Sequence, residues 1–161
     1  MAIRQIVKEG DSVLTKKCRE VVKFDDRLAQ LIDDMIETLH ESGGVGLAAP
    51  QVGVIRRVVV IDISQEQNQV IELVNPVIIE TEGEQESVEG CLSCPGEWGI
   101  TVRPNYVKVK AFDRHGNEFT VEGKELLAKA FCHELDHLDG IIFKQVAKRM
   151  LTKEECEEMF G

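Results

Sequence analysis

The stretch Lys124-Glu125-Leu126-Leu127-Ala128-Lys129-Ala130-Phe131-Cys132-His133-Glu134-Leu135-Asp136-His137-Leu138 decides how this chain is read. It predicts a helix over residues 124–138. A four-residue helical separation puts the imidazoles of His133 and His137 on one face, close enough to share a cation. Glu134 is rotated about 100° from His133 and can reach a water molecule on that cation. Upstream, the β-branched runs at 58–63, 70–74, 77–79 and 107–112 predict strands, with a further run at 119–121 beyond a turn at 114–117. An amphipathic helix precedes them over residues 25–42. There Leu28, Leu31, Ile32, Met35, Ile36 and Leu39 recur at three- and four-residue steps, after the cap candidates Asp25-Asp26 and before Gly43-Gly44. A last helix begins at Thr152, where Glu155 completes a capping box. The predicted fold is α+β: mostly antiparallel strands around a central metal-binding helix, with an N-terminal and a C-terminal helix.

At 161 residues and 43% hydrophobic content, the chain has the size and core of one domain, expected over residues 1–161. Charged residues make up 30% and the formal net charge is −10, which argues against sequence-independent binding to nucleic acid or anionic membrane. Transient contact with the ribosome would need a local basic patch. No run approaches the roughly 20 apolar residues that span a bilayer. The five cysteines (Cys18, Cys91, Cys94, Cys132, Cys156) are odd in number and scattered, a poor match to a disulfide framework. A reducing cytoplasm is the expected location.

A catalytic metal needs a third protein ligand and an open position for water. Position 143, where a metzincin would carry a third histidine, is Phe143. A thermolysin-like enzyme would draw a glutamate from a later helix, but Glu154, Glu155, Glu157 and Glu158 read as the solvated face of a short terminal helix. In Glu89-Gly90-Cys91-Leu92-Ser93, small neighbours would let the Cys91 thiolate approach the metal, giving a sulfur and two nitrogens with His133 and His137. Taken alone, such a cysteine is more commonly an inert buried thiol. Cys94 forms a Cys-x-x-Cys pair with Cys91, but no second pair completes a four-cysteine site, and it reads as a packing residue.

Three separated segments together resemble the signatures of the peptide deformylase family. They are Gly44-Val45-Gly46-Leu47-Ala48-Ala49-Pro50-Gln51, then Glu89-Gly90-Cys91-Leu92-Ser93, then His133 through His137. The resemblance extends over nearly the whole chain. One departure is Cys132, where the family usually has glutamine.

The resemblance implies a hydrolase that removes the formyl group from the N-terminal methionine of new polypeptides. Cys91, His133 and His137 would hold one divalent metal. A thiolate with two imidazoles accepts Zn²⁺, Fe²⁺, Co²⁺ or Ni²⁺, and the resemblance favours Fe²⁺. Glu134 becomes the general base that turns general acid. The Gln51 side-chain amide and the Leu92 backbone N–H become the oxyanion donors. Gly44, Val45 and Gly46, with Leu126, Lys129 and Ala130, are the implied substrate-binding residues. Val45, Leu126 and Ala130 would wall a methionine pocket, and Lys129 would close it with its stem while its ammonium reaches solvent. The implied partners are N-formyl-methionyl nascent polypeptides, with no specific DNA or RNA sequence and no membrane. Glu89 and Arg103 are offset for a buried ion pair.

Read without the resemblance, Gln51 is a surface glutamine at the end of a turn. Glu89 and Arg103 are exposed, Leu126 and Ala130 are equally core packing, and Gly44 and Gly46 supply positive φ after a helix. A phosphate-cradling loop is disfavoured because no Gly-Lys-Ser/Thr follows. Two other functions stay open at this point. One is a His-Glu-x-x-His endopeptidase with a third ligand other than Cys91. The other is a non-enzymatic protein with a structural metal closed by Cys94 or Cys132, for which Glu134 would be superfluous.

Overall fold

The computed structural model describes residues 2–161. Helix α1 (Asp26–Ser42) starts where the Asp25 carboxylate accepts the Leu28 N–H and stops at Gly43, whose φ of 75° closes the last turn. Its apolar stripe, with Leu28, Leu31, Ile32, Met35 and Leu39, is the buried face. Strand β1 (Gly46–Ala48) and a 3₁₀ turn (Ala49–Val52) follow, then β2 (Val58–Ile61) and β3 (Ile71–Glu82). A hairpin of β4 (Gln85–Cys91) and β5 (Cys94–Arg103) leads to β6 (Tyr106–Phe112) and β7 (Glu118–Lys124). Helix α2 (Leu126–Leu138), the one-turn α3 (Phe143–Val146), β8 (Arg149–Met150) and α4 (Lys153–Phe160) complete the order.

The strands form two sheets, β1-β2-β3-β6-β7 and β4-β5-β8, and every pairing within them is antiparallel. The fold is α+β, with α2 at its centre. Phe131, Leu135 and Leu138 of α2 enter a core shared with Val59, Ile61, Val107 and Val109 from the larger sheet. The 126, 130, 133, 137 side, set by three- and four-residue steps, faces the β4–β5 hairpin instead. Burial of the first side fixes the helix, and so fixes the direction in which the second side points.

Several boundaries differ from the sequence reading. The runs at 70–74 and 77–79 are one strand, because the register shifts between Val74 and Val77 and so accommodates Pro76. Asn75 takes φ of 51° there and its side chain bonds both Val21 N and Val21 O, tying the N-terminal arm to the sheet. Lys124 belongs to β7, and Glu125 (φ 54°) breaks the chain direction, so the second helix begins two residues later than its sequence suggested. The last helix does have the expected cap: Thr152 accepts from Glu155 N, and Thr152 N donates to the Glu155 carboxylate. No residue of α4 is buried, in keeping with its row of glutamates, and Phe160 rests on Trp98 with ring centres 4.5 Å apart. Among the described residues, no helix is long and apolar enough to cross a membrane.

Candidate metal centre

The sulfur of Cys91 and ring nitrogens of His133 and His137 all lie within 4.8 Å of one another. Two of these residues come from consecutive turns of α2, and the third from the last position of β4. Cys91 Sγ is 3.3 Å from His137 Nε2. His133 Nδ1 is engaged by Glu89 Oε1 at 2.6 Å, which leaves Nε2 free to face the cluster. Burial pushes His137 down to about 3, so its imidazole is neutral, as a ligand must be. A hydrogen bond with Cys94, then burial, push the Cys91 thiol up, so ligation there would displace a proton. This soft, nearly enclosed donor set fits a divalent transition metal and leaves room for a further ligand. Glu134 Oε1 is buried beside it with no hydrogen-bond partner among the described residues, so it is available to a water or substrate.

Glu89 organises the surroundings. Positions 89, 101 and 103 share one face of the β4–β5 hairpin, so Thr101 Oγ1 donates to Glu89 Oε2 at 2.7 Å while Arg103 forks onto both carboxylate oxygens. The remaining Arg103 nitrogen reaches Asp136 Oδ2 at 2.7 Å, joining the hairpin to α2 between its two histidines. The reading of Glu89 and Arg103 as exposed is therefore corrected: both are buried, each neutralising the other.

Gln51 is also corrected, being 1% exposed rather than on the surface. Its Oε1 accepts from Ala48 N at 3.0 Å, which turns the amide nitrogen toward Ser93 Oγ at 3.2 Å and Cys91 Sγ at 3.5 Å. Leu92 lies in the two-residue turn between β4 and β5, next to Cys91. Glu134 is buried in the same place, and burial pushes it up to about 7.

A cavity of about 470 Å³ opens from this cluster. Gly44, Val45, Gly46, Leu126, Lys129 and Ala130 all line it. The glycines serve a different end from the one expected, because neither has positive φ. A Cβ on Gly44 would lie 2.9 Å from Leu92 Cδ1, and one on Gly46 would lie 2.6 Å from Glu134 Oε2. Lys129 does not send its ammonium freely to solvent: Nζ donates to Val88 O at 3.3 Å. Val88, Pro95 and Trp98 also line the cavity and were not singled out from sequence. Gly90 is the register partner of Trp98, and a Cβ there would lie 2.5 Å from the indole ring. The ring thus crosses the facing strand to reach the cavity wall.

Comparison with known proteins gives this arrangement a context. Residues 3–153 match the family model described as polypeptide deformylase. The chain belongs to the peptide deformylase family. It is accordingly an enzyme. A peptide deformylase of Lachnoclostridium phytofermentans is 59% identical over 143 residues, covering 89% of this chain and 88% of that protein. One of Caldicellulosiruptor bescii is 54% identical over 158 residues, covering 98% of this chain and 93% of the other. A crystal structure of a peptide deformylase from Legionella pneumophila superposes with a TM-score of 0.88 at 41% identity, covering 98% of this chain and 95% of that one. The family is metal-dependent, and the Cys91, His133 and His137 cluster is the candidate metal site of this chain.

Proposed function

We propose that residues 1–161 act as one catalytic domain that hydrolyses the formyl amide of N-formyl-methionyl nascent polypeptides. The observation that carries this reading is the convergence of Cys91, His133 and His137 beside Glu134, whose buried Oε1 has no hydrogen-bond partner among the described residues, at a cavity in a deformylase-family chain. Cys91, His133 and His137 hold one divalent metal, for which the family resemblance favours Fe²⁺. When bound, the cation supplies Lewis acidity, bringing the pKa of water toward ~7.

The chain's own residues do the rest. Glu134 takes a proton from water as its oxygen attacks the formyl carbon. A value near neutrality suits that task and the reverse one, delivery of the same proton to the methionine nitrogen as the carbon–nitrogen bond breaks. Formate and a free N-terminal amine result. Negative charge builds on the formyl oxygen during attack, and the Gln51 amide and Leu92 N–H are the donors for it. Because Ala48 N fixes Gln51 Oε1, the amide is oriented before the substrate arrives, which is what makes such a donor effective. Val45, Leu126 and Ala130 take the methionine side chain, and the Lys129 stem borders it. Glu89, through His133 and Arg103, holds the ligand geometry.

The test is formate release from a formyl-methionyl peptide under anaerobic conditions, run beside the acetylated and unblocked peptides of the same sequence. Fast hydrolysis of the formyl peptide is expected, with little of the acetyl peptide, whose extra methyl needs space behind the carbonyl and makes the carbon less electrophilic. Comparable formyl and acetyl rates, or internal cleavage of the unblocked peptide, would overturn the reading.

A further inference from the structure

Beside the ligand cysteine lies a second thiol that the proposed chemistry does not use. Cys91 and Cys94 are register partners across the two-residue turn Leu92-Ser93, and both are unbridged. The register shifts between Gly90 and Cys91, so the two cysteines are the ends of a tight four-residue turn, whose end Cα atoms lie within about 7 Å of each other and so overlap the range of about 4.4–6.8 Å that a disulfide needs. Both residues line the cavity, so a small oxidant that enters it meets the pair. Cys94 is otherwise 2% exposed against Leu14, Ile142 and Phe143. No other cysteine shares this hairpin.

We infer that Cys91 and Cys94 form a reversible disulfide when hydrogen peroxide reaches the site, and that this bond removes the ligand sulfur from the metal centre. In the first step the Cys91 sulfur attacks one peroxide oxygen, the O–O bond breaks, and a sulfenic acid and one water form. In the second, the Cys94 sulfur attacks the Cys91 sulfur, the S–S bond forms, and the sulfenic oxygen leaves as a second water carrying the remaining thiol proton. Two thiols are oxidised by two electrons and the peroxide is reduced to two waters. The consequence is protective. A sulfenic acid without a neighbouring thiol proceeds to sulfinic and sulfonic acids, which thiols do not reverse, whereas a disulfide is restored by a dithiol. The ring closed by this bond is short, so it restricts the unfolded chain little and is readily reduced.

The loss of metal rests on Cys91 being a ligand; the bond itself does not. The test treats the purified full-length, metal-containing protein with hydrogen peroxide, in parallel with Cys94→Ser and Cys94→Val. In the wild type, free thiols measured after denaturation should fall from five to three, since two of the five cysteines pair. Intact mass should drop by two hydrogens, peptide mapping should join Cys91 to Cys94, and dithiothreitol should restore both thiols. In the variants Cys91 should gain oxygen instead, with no recovery. Wild-type thiols that stay at five, a link mapped elsewhere, or variants that recover as fully as wild type would overturn the inference. A mapped Cys91–Cys94 bond with metal content unchanged would uphold the disulfide and overturn Cys91 as a ligand.

Discussion

His133 Nδ1 lies 2.6 Å from Glu89 Oε1, so the imidazole is gripped on its outer side and its Nε2 is left to face Cys91 and His137. Arg103 and Thr101 hold Glu89 in turn, and Arg103 also reaches Asp136. The ring orientation is therefore set by buried charge before any ion arrives.

Glu89→Gln should accordingly weaken metal binding roughly 10- to 100-fold, the usual effect of losing a group that orients a ligand histidine. Competition with a graded series of chelators measures this directly. Affinity equal to wild type would mean that helix packing alone orients His133.

Glu134→Gln should behave differently. It keeps the side chain's size while removing the base, so metal content should stay near one ion per chain while kcat falls by roughly 10²–10⁴. Metal analysis and formate release on the same preparation decide it. Equal loss of both would make Glu134 a ligand.

The pairing of His133 and His137 was legible because its geometry is local: a helix puts both on one face whatever surrounds it, whereas Cys91 lies on another element and was singled out only with the family resemblance. The central helix and strands β2, β3, β6 and β7 followed from local sequence pattern for the same reason, whereas β1 did not. The β4–β5 hairpin was not legible. Gln85, Glu86, Ser87, Glu89 and Gly90 lack the β-branched run that marks a strand, and their pairing with β5 is supported by the Glu89–Arg103 ion pair and by Trp98 packing on Gly90. Gln51, Glu89 and Arg103 read as exposed because polarity predicts exposure unless a partner is known, and their partners lie 42, 44 and 14 residues away. The family resemblance supplied the Glu89–Arg103 pair and a role for Gln51, but not the partners Ser93 and His133. Periodicity had no means to.

The N-terminal arm has its own electrostatic anchor. Burial alone would raise the Asp34 carboxyl, but the Ala2 N–H, the Gln30 amide and Arg4 outweigh it and hold Asp34 below the usual carboxylate value. A depressed folded value gives stability that is complete above the unfolded value of ~3.9 and lost as pH falls through the folded one. Asp34→Asn should therefore cost about 1–3 kcal/mol at neutral pH, and the gap from wild type should close below that window. Urea denaturation at a series of pH values checks both the gap and its direction. A gap that persists in strong acid would assign the loss to packing.

Gly46 offers a separate way to displace Glu134 without altering its chemistry. A Cβ at Gly46 would stand 2.6 Å from Glu134 Oε2, 2.8 Å from Cγ and 2.9 Å from Cδ, so the overlap extends along the side chain and is not confined to its tip. Strand β1 has little freedom to retreat, because Gly46 pairs with Ile61 and the adjacent Leu47 and Ala48 are fully buried. The carboxylate must therefore move. The three atoms nearest that Cβ all belong to Glu134 and none to a proposed ligand. Gly46→Ala should thus retain its metal, lose stability by about 1–3 kcal/mol from overpacking, and lose turnover in proportion to the displacement of Glu134. At Gly44 the obstructing atoms belong to the Leu92 side chain, whose ends can rotate, so Gly44→Ala should retain more turnover. Metal content, thermal stability and kcat measured on both variants separate these effects. If Gly46→Ala turned over like wild type, the carboxylate position seen here would not be the one that moves the proton.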